Sequence, residues 1–250
     1  TMLATHTKFA FLFLLGAAML AGPQQAQEAP PADEPTSSVL VIHDWSNSMW
    51  GAFADGTRKY EAGVTALTNA LDTGFGGRHV GYRAYGHRQP GDCRDSELVS
   101  DFDALDVVRP EIVDTLGKVR PTGKTPITYS LQEGLKDFKG GSGDILLISD
   151  GIETCDADPC ELMREWKASK VNIRVHVVGV GLNDLERTAM ACIAEESGGT
   201  YLDAESSDGF DQALGQVADT IETASAPAPV DSAELHAIII RAHDANDRDY

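Results

Sequence analysis

Three short side chains that carry oxygen atoms alternate in one stretch of the chain: Asp44, Ser46 and Ser48. The four residues before them, 39–42, are all apolar and three are β-branched, which predicts a strand buried on both faces. Carboxylate and hydroxyl oxygens are the ligands that hard divalent cations prefer. The loop is therefore a candidate cation site at the carboxyl end of a buried strand, where α/β sheets bind their ligands.

Two distant segments carry further oxygen donors. Thr125 stands directly before a predicted helix, and Asp150 follows an apolar run that predicts another buried strand. Because the carboxyl ends of parallel strands lie at one edge of a sheet, we expect both residues to join Asp44, Ser46 and Ser48. The five residues together offer three hydroxyls and two carboxylates.

Apolar periodicity predicts short strands that alternate with amphipathic helices. The strands are predicted at residues 39–42, 80–85, 98–102, 145–149, 173–180 and 200–202. Only the second and third strands are joined without a helix, through residues 86–97, which indicates one antiparallel edge strand. The predicted fold class is α/β: a doubly wound, mostly parallel six-stranded sheet with one antiparallel edge strand and helices on both faces.

Composition and charge limit the classes of partner. A chain of 250 residues that is 42% hydrophobic can build a core from burial alone. Its formal net charge of -19 and isoelectric point near 4.6 argue against nucleic acid or an anionic membrane surface as a main partner. Cations and basic protein surfaces suit this charge better.

Both ends of the chain differ from its centre. Residues 1–26 carry a single charge before a short apolar run and then small residues, which predicts a secretory signal peptide; an uncleaved membrane anchor is the alternative. Residues 27–38 and 224–232 are predicted flexible linkers, and 39–223 the folded domain. Residues 233–250 are interpreted as the start of a truncated C-terminal β domain, and a terminal tail is the alternative. We therefore expect an exported protein, periplasmic or extracellular.

Four cysteines in an exported chain predict up to two disulfides. A local bridge between Cys155 and Cys160 would leave Cys93 to reach Cys192, which lies inside a helix on the far half of the sheet. Pairing Cys93 with Cys155 and Cys160 with Cys192 needs less displacement and is favoured. A four-cysteine zinc site is the competing interpretation, and it is weakened because Cys93 and Cys192 are isolated rather than paired in sequence.

The site motifs, taken in order, resemble the von Willebrand factor type A (VWA) domain and its metal-ion-dependent adhesion site. The Asp-x-Ser-x-Ser motif is intact at Asp44, Ser46 and Ser48, Thr125 matches the second-loop threonine, and Asp150 matches the third-loop aspartate. The wider matches resemble exported bacterial members and lie at residues 48–51, 82–88, 123–127 and 149–155. The resemblance covers residues 39–223.

The resemblance implies a metal-dependent protein-binding module. Ser46, Ser48 and Thr125 would bind Mg²⁺, or Mn²⁺ or Ca²⁺, while Asp44 and Asp150 hold waters and balance charge. An acidic side chain of a protein partner would complete the coordination. Two alternatives remain: a structural domain whose metal only stabilises the fold, and a metal-dependent hydrolase, although Ser46 stands where that chemistry normally needs a second carboxylate.

Four residues around the site are predicted to form a partner-binding rim: Trp45, His87, Arg88 and Arg94. Trp45 lies between the ligands, so it either contacts a partner or packs against a neighbouring loop. His87, Arg88 and Arg94 lie in the polar loop 86–95, and the alternative for them is a solvated hairpin that Cys93 ties down. His43 is interpreted as a core histidine outside the site. Nucleotide binding and catalysis are not expected, because no phosphate-binding loop or nucleophile motif is complete.

Overall fold

The computed structural model describes residues 38–224, which contain six strands. They are β1 (Ser38–Asp44), β2 (His79–Tyr85), β3 (Ser96–Asp103), β4 (Gly143–Ser149), β5 (Ile173–Val180) and β6 (Tyr201–Ala204). A 3₁₀ turn and six α-helices connect them: the turn is Asn47–Trp50, and the helices are α1 (Lys59–Thr73), α2 (Leu105–Lys118), α3 (Ile127–Asp137), α4 (Pro159–Ala168), α5 (Asp184–Ser197) and α6 (Ser207–Thr223).

The six strands form one sheet in the order β3-β2-β1-β4-β5-β6. Every neighbouring pair is parallel except β2 and β3, which are antiparallel. The chain runs outward from β1 through β2 and β3 and then returns to β4 on the other side of β1. The strand order therefore reverses between β1 and β4, and ligands of doubly wound sheets bind at the carboxyl edge of such a point.

Strand β1 is central because its side chains enter two separate cores. Val39 and Val41 pack with the apolar faces of α1, α2 and α6, whereas Leu40 and Ile42 pack with those of α3, α4 and α5. All four side chains are fully buried. Helices on both faces exclude water from the strand, and this fixes the position at which β1 ends and the loop from Asp44 begins.

The predicted fold class is confirmed: a mostly parallel six-stranded sheet with one antiparallel edge strand and helices on both faces. The predicted signal peptide and C-terminal β segment lie outside the described residues, as do all but the last residue of the first predicted linker and all but the first of the second. None of the helices between residues 38 and 224 is both long and apolar enough to cross a membrane.

All four cysteines form disulfides, in the connectivity that the sequence favours. Cys93 pairs with Cys155 and Cys160 with Cys192, with Cα atoms 5.6 and 5.7 Å apart. The first bridge joins the β2–β3 hairpin to the loop after β4, and the second joins α4 to α5. Because all four sulfur atoms are used in this way, the four-cysteine zinc interpretation is wrong.

The disulfide that joins the two loops is expected to be the more stabilising one. Its partners are 62 residues apart, against 32 for Cys160 and Cys192, and loop-closure entropy predicts a difference of about 0.6 kcal/mol. Removing either bridge with paired serine substitutions should lower the free energy of unfolding by about 2–4 kcal/mol. Urea denaturation of the two double variants measures both values, and a larger loss at Cys160 and Cys192 would contradict the order.

Candidate functional site

Asp44 is the last residue of β1 and its side chain is fully buried. Its Oδ1 accepts a hydrogen bond from the Ser46 backbone N–H at 2.7 Å, and its Oδ2 accepts one from the Ser149 hydroxyl at 2.6 Å. The first contact turns the chain sharply after the strand. The second joins the carboxyl ends of β1 and β4, which are neighbours in the sheet.

A chain of hydrogen bonds joins the serines of the loop to Asp150. The hydroxyls of Ser46 and Ser48 are 2.9 Å apart, and the Ser48 hydroxyl donates to Asp150 Oδ1 at 2.6 Å. Four of the five predicted ligands are therefore joined by hydrogen bonds: the hydroxyls of Ser46 and Ser48 lead to Asp150, and Asp44 joins them through the Ser46 backbone N–H. This cluster of four residues lies at the carboxyl edge of the sheet, between β1 and β4.

Thr125 lies in the loop between α2 and α3, which is attached to the loop after β1. The Asn47 N–H donates to the Gly123 carbonyl at 2.9 Å, and the Thr122 N–H donates to the Trp45 carbonyl at 3.0 Å. Thr125 is 4% exposed, and its own N–H donates to the Thr154 hydroxyl at 2.8 Å. These backbone contacts place Thr125 between the loops that carry Ser46 and Asp150.

Gly86 allows these loops to approach the hairpin after β2. It has a φ of +69°, and a Cβ atom there would lie 2.5 Å from the Lys124 carbonyl oxygen and 3.0 Å from the Ser46 Cα. Its carbonyl accepts hydrogen bonds from the N–H groups of Thr122 and Gly123. Glycine is the residue that meets both demands without steric strain.

The two carboxylates of the cluster are short of positive charge. Burial, and to a smaller extent the negative charge of Asp150, raise the pKa of Asp44 to about 6, although hydrogen bonds from Ser149 and Ser46 work in the opposite direction. Burial also raises the pKa of Asp150, although the nearby Lys59 ammonium works in the opposite direction. Two acidic groups that are costly to ionise together provide a favourable place for an added cation.

Lys59 is a part of the cluster that the sequence analysis missed. Its Nζ lies 3.0 Å from Asp150 Oδ2, and its side chain is 15% exposed. It lies on the first turn of α1, eleven residues after Ser48, and no motif marks it. Lys59 therefore supplies the positive charge that the structure places against Asp150.

Ser149 and Tyr85 form a second layer that the sequence analysis also missed. The Tyr85 hydroxyl donates to the Ser149 hydroxyl at 3.0 Å, and Ser149 in turn donates to Asp44. All three side chains are fully buried. Tyr85 and Ser149 are the last residues of β2 and β4, so this relay holds the Asp44 carboxylate from both neighbouring strands.

The assignment of Trp45 to the partner-binding rim is wrong, because its side chain is fully buried. Its Nε1 donates to the Tyr82 hydroxyl at 3.0 Å, and its ring packs 4.9 Å from that of His43. The alternative interpretation, that Trp45 packs against its neighbours, describes the structure. His43 is a buried core residue as expected, and burial lowers its pKa to about 3.

His87 also fails as a rim residue, because its side chain is only 8% exposed and its Nε2 lies 3.1 Å from a Glu97 oxygen. The half-exposed Arg88 donates through Nε to the buried Asp95 at 2.7 Å, and this pair closes the hairpin. Arg94 is exposed. The structure therefore favours the alternative of a tied-down hairpin for His87 and Arg88.

The donor set fits a hard divalent cation. Ser46, Ser48 and Thr125 supply neutral hydroxyls, and Asp44 and Asp150 supply carboxylates, so every candidate donor is an oxygen atom. Within residues 38–224 there is no group of three or more His, Cys, Asp or Glu side chains that could hold a metal ion. The candidate site differs from such groups because three of its five donors are hydroxyls.

Solved structures share this architecture. A von Willebrand factor type A protein from Catenulispora acidiphila aligns with a TM-score of 0.60 at 19% identity, over 74% of this chain and 42% of that one. The pilus adhesin SpaC from Lactobacillus rhamnosus GG aligns with a TM-score of 0.61 at 19% identity, over 76% of this chain and 31% of that one. The chain has the VWA fold.

A relative by sequence is "Uncharacterized protein YwmD" from Bacillus subtilis (strain 168). It is 27% identical over 186 residues, which span 71% of this chain and 83% of the relative. No family model matches the chain. The VWA fold places the oxygen cluster at the edge of the sheet where such folds bind ligands, and the function of the cluster is argued below from its own chemistry.

Proposed function

We propose that this chain is an exported, non-enzymatic module that binds a protein partner through a divalent cation. The observation that carries the proposal is the single hydrogen-bonded cluster of Asp44, Ser46, Ser48 and Asp150 at the strand-order reversal. Mg²⁺ is the cation we favour, with Mn²⁺ or Ca²⁺ as the alternatives. The similarity of the fold to that of a pilus adhesin supports an adhesion-type role.

In this proposal Ser46, Ser48 and Thr125 hold the cation, while Asp44 and Asp150 balance its charge. Neutral hydroxyl ligands leave a cation strongly electrophilic, so when bound it can accept an acidic side chain of a partner. The protein residues orient the site: Ser149 holds Asp44, and the contacts of Gly123 and Thr154 hold the loop of Thr125. Two disulfides support a location outside the cytoplasm.

A second candidate is a structural domain in which a cation only stabilises the fold. The ion pair between Lys59 and Asp150 favours it, because an ammonium already neutralises part of the cluster. The two candidates differ in whether partner binding depends on the cation. A partner of the binding module binds only when the site holds a cation, whereas partner binding to the structural domain does not involve the site.

The test is capture of partner proteins from a cell-envelope extract, in Mg²⁺ and in excess chelator. We expect wild type to retain a protein in Mg²⁺ and to release it in chelator, and Asp44→Ala to retain none. Asp219→Ala removes an exposed carboxylate from α6 and should behave like wild type. Capture that is equal in chelator, or equal for wild type and Asp44→Ala, would support the structural candidate instead.

The proposal makes a prediction for Lys59. In chelator, Lys59→Met leaves the Asp150 carboxylate buried without its ammonium, so the free energy of unfolding should fall by about 1–3 kcal/mol. In Mg²⁺ the cation takes over the neutralisation, so most of this loss should disappear. Urea denaturation in the two buffers measures the difference.

The matched control is Lys118→Met, which breaks the exposed pair with Asp114. It should change stability by less than about 0.5 kcal/mol in either buffer. A loss at Lys59→Met that is the same with and without Mg²⁺ would show that the ammonium and the cation do not act on one cluster.

A further inference from the structure

Most cationic side chains in residues 38–224 are paired with carboxylates, as expected in so acidic a chain. Four within this part of the protein have no carboxylate within 4.0 Å: Arg58, Arg120, Lys124 and Lys170. The first three lie in loops or at a helix start on the carboxyl edge of the sheet, next to the candidate cation site. Lys170 follows α4, close to the start of β5 and hence to the opposite edge.

Both arginines of this set lie over aromatic rings. The Arg58 guanidinium lies 4.9 Å from the centre of the Trp50 ring, and that of Arg120 lies 5.8 Å from the centre of the Tyr60 ring. The two rings meet edge to face, with centroids 4.9 Å apart. We call these four residues, Trp50, Arg58, Tyr60 and Arg120, the cation–aromatic face.

The cation–aromatic face is continuous with the candidate cation site. Trp50 lies two residues after Ser48, and its Nε1 donates to the Pro121 carbonyl at 2.9 Å. Arg58 precedes Lys59, whose Nζ reaches Asp150. Trp50 is 38% exposed, although large apolar side chains are seldom exposed in this domain. The face therefore presents both apolar surface and positive charge beside the oxygen cluster.

A guanidinium that lies over an aromatic ring is attracted to the ring without using a carboxylate, so it keeps N–H donors for a ligand. These donors lie in the plane of the group and match the two oxygens of a carboxylate. Arg120 is also held in place, because its Nη1 donates to the carbonyls of Gly117 and Val119 at 3.0 and 2.6 Å. A group fixed in this way loses little side-chain entropy when a ligand binds.

We propose that the cation–aromatic face binds an acidic segment of the protein partner, which presents at least three carboxylates. One carboxylate engages the candidate cation site, and the others engage Arg58 and Arg120. This inference rests on the proposed function of the site, but it assigns a separate surface and a separate set of residues to the recognition.

The net charge of the chain makes the proposal testable. A formal charge of -19 repels an acidic peptide over most of the surface, so local cations must provide the attraction. Removing one positive charge changes the net charge equally wherever it is removed, whereas its effect on a bound peptide depends on how close the charge lies to that peptide. Lys170, near the opposite edge of the sheet, is therefore the control for the change in net charge.

The experiment measures binding of a fluorescein-labelled hexaglutamate peptide to the full chain by fluorescence anisotropy at low salt, in Mg²⁺. We expect Arg58→Gln and Arg120→Gln each to weaken binding about tenfold, since each loses a charge-assisted hydrogen bond. Lys170→Gln should weaken it less than twofold. Adding chelator should weaken binding by wild type while leaving a measurable effect of Arg58→Gln.

The outcomes separate this inference from the proposed function. Equal affinities for Arg58→Gln, Arg120→Gln and Lys170→Gln, or no binding of the peptide by wild type, would overturn the inference. Equal or tighter binding of an inorganic polyphosphate would also overturn it, because the face would then be a general polyanion site. If the arginine variants weaken binding but chelator and Asp44→Ala have no effect, the inference stands and the proposed cation dependence fails.

Discussion

Replacing Asp44 with alanine is expected to abolish the stabilisation that Mg²⁺ gives to the wild-type protein. A ligand that binds only the folded state raises the free energy of unfolding by about 2.7 kcal/mol at a concentration of 100 times its Kd. Asp44 is fully buried and connects to Ser46 and Ser149 through hydrogen bonds of 2.7 and 2.6 Å. Without its carboxylate the cluster loses both charge and the anchor of the serine loop.

Without metal, Asp44→Ala should change the free energy of unfolding less, because two contributions oppose each other. The Ser46 N–H and the Ser149 hydroxyl lose their acceptor, which costs about 1–3 kcal/mol, whereas the repulsion between Asp44 and Asp150 disappears. Urea denaturation with and without Mg²⁺ separates the two contributions. Asp219→Ala is the control and should keep the full response to Mg²⁺. An equal response in wild type and Asp44→Ala would contradict this role.

The second large effect is expected at the opposite end of β4, where Asp144 anchors a buried ion cluster. The Asp144 carboxylate is fully buried and lies 2.5 Å from an Arg78 nitrogen, with Arg174 donating two hydrogen bonds at 2.7 and 3.0 Å. His176 Nε2 lies 3.2 Å from it. Asp144→Ala leaves the Arg78 guanidinium buried without its carboxylate, so the free energy of unfolding should fall by about 3–5 kcal/mol.

An exposed ion pair provides the comparison for Asp144. Asp114→Ala breaks the pair with Lys118 on the surface of α2 and should change stability by less than about 0.5 kcal/mol. Denaturation curves of the two variants, recorded in chelator, measure both values without interference from the cation site. Similar losses in the two variants would show that the Asp144 cluster is not a stabilising anchor.

The same cluster predicts a contribution to acid unfolding. Burial alone would raise the pKa of Asp144, but hydrogen bonds from His176 and Arg174 outweigh it, and the net pKa lies below the ordinary value for aspartate. A lowered pKa stabilises the folded state above the pKa of the unfolded chain, about 3.9. This contribution is lost as the pH falls from there through the folded pKa. Asp144→Asn should therefore lose less stability than wild type below about pH 4.

The sequence was sufficient for the fold because the core depends on local patterns. Apolar runs mark β1 and β4, shorter or alternating apolar patterns mark the other strands, and helical spacing marks the segments between them. The antiparallel edge could be predicted because only β2 and β3 lack a helix between them. The ends of the elements are harder to predict from the sequence. For example, β1 continues through His43 to Asp44, two residues beyond its apolar run.

Part of the site could be predicted from the sequence. The residues that were misplaced or missed are those whose roles depend on three-dimensional contacts. Asp44 and Asp150 could be placed together because both follow buried strands, and parallel strands bring those ends to one edge. Trp45 was misplaced because its side chain points into the core formed by α1, and loop periodicity does not reveal that direction. Lys59 and Ser149 were missed because their roles depend on partners 91 and 105 residues away.

The central claim is that Asp44, Ser46, Ser48, Thr125 and Asp150 form a site for one divalent cation. The most direct measurement is titration of the full wild-type chain with Mn²⁺, with free Mn²⁺ followed by electron paramagnetic resonance. We expect one Mn²⁺ bound per chain, displaced by excess Mg²⁺ and absent from Asp44→Ala. A chain that binds no Mn²⁺, or binds it equally in wild type and Asp44→Ala, would contradict the account.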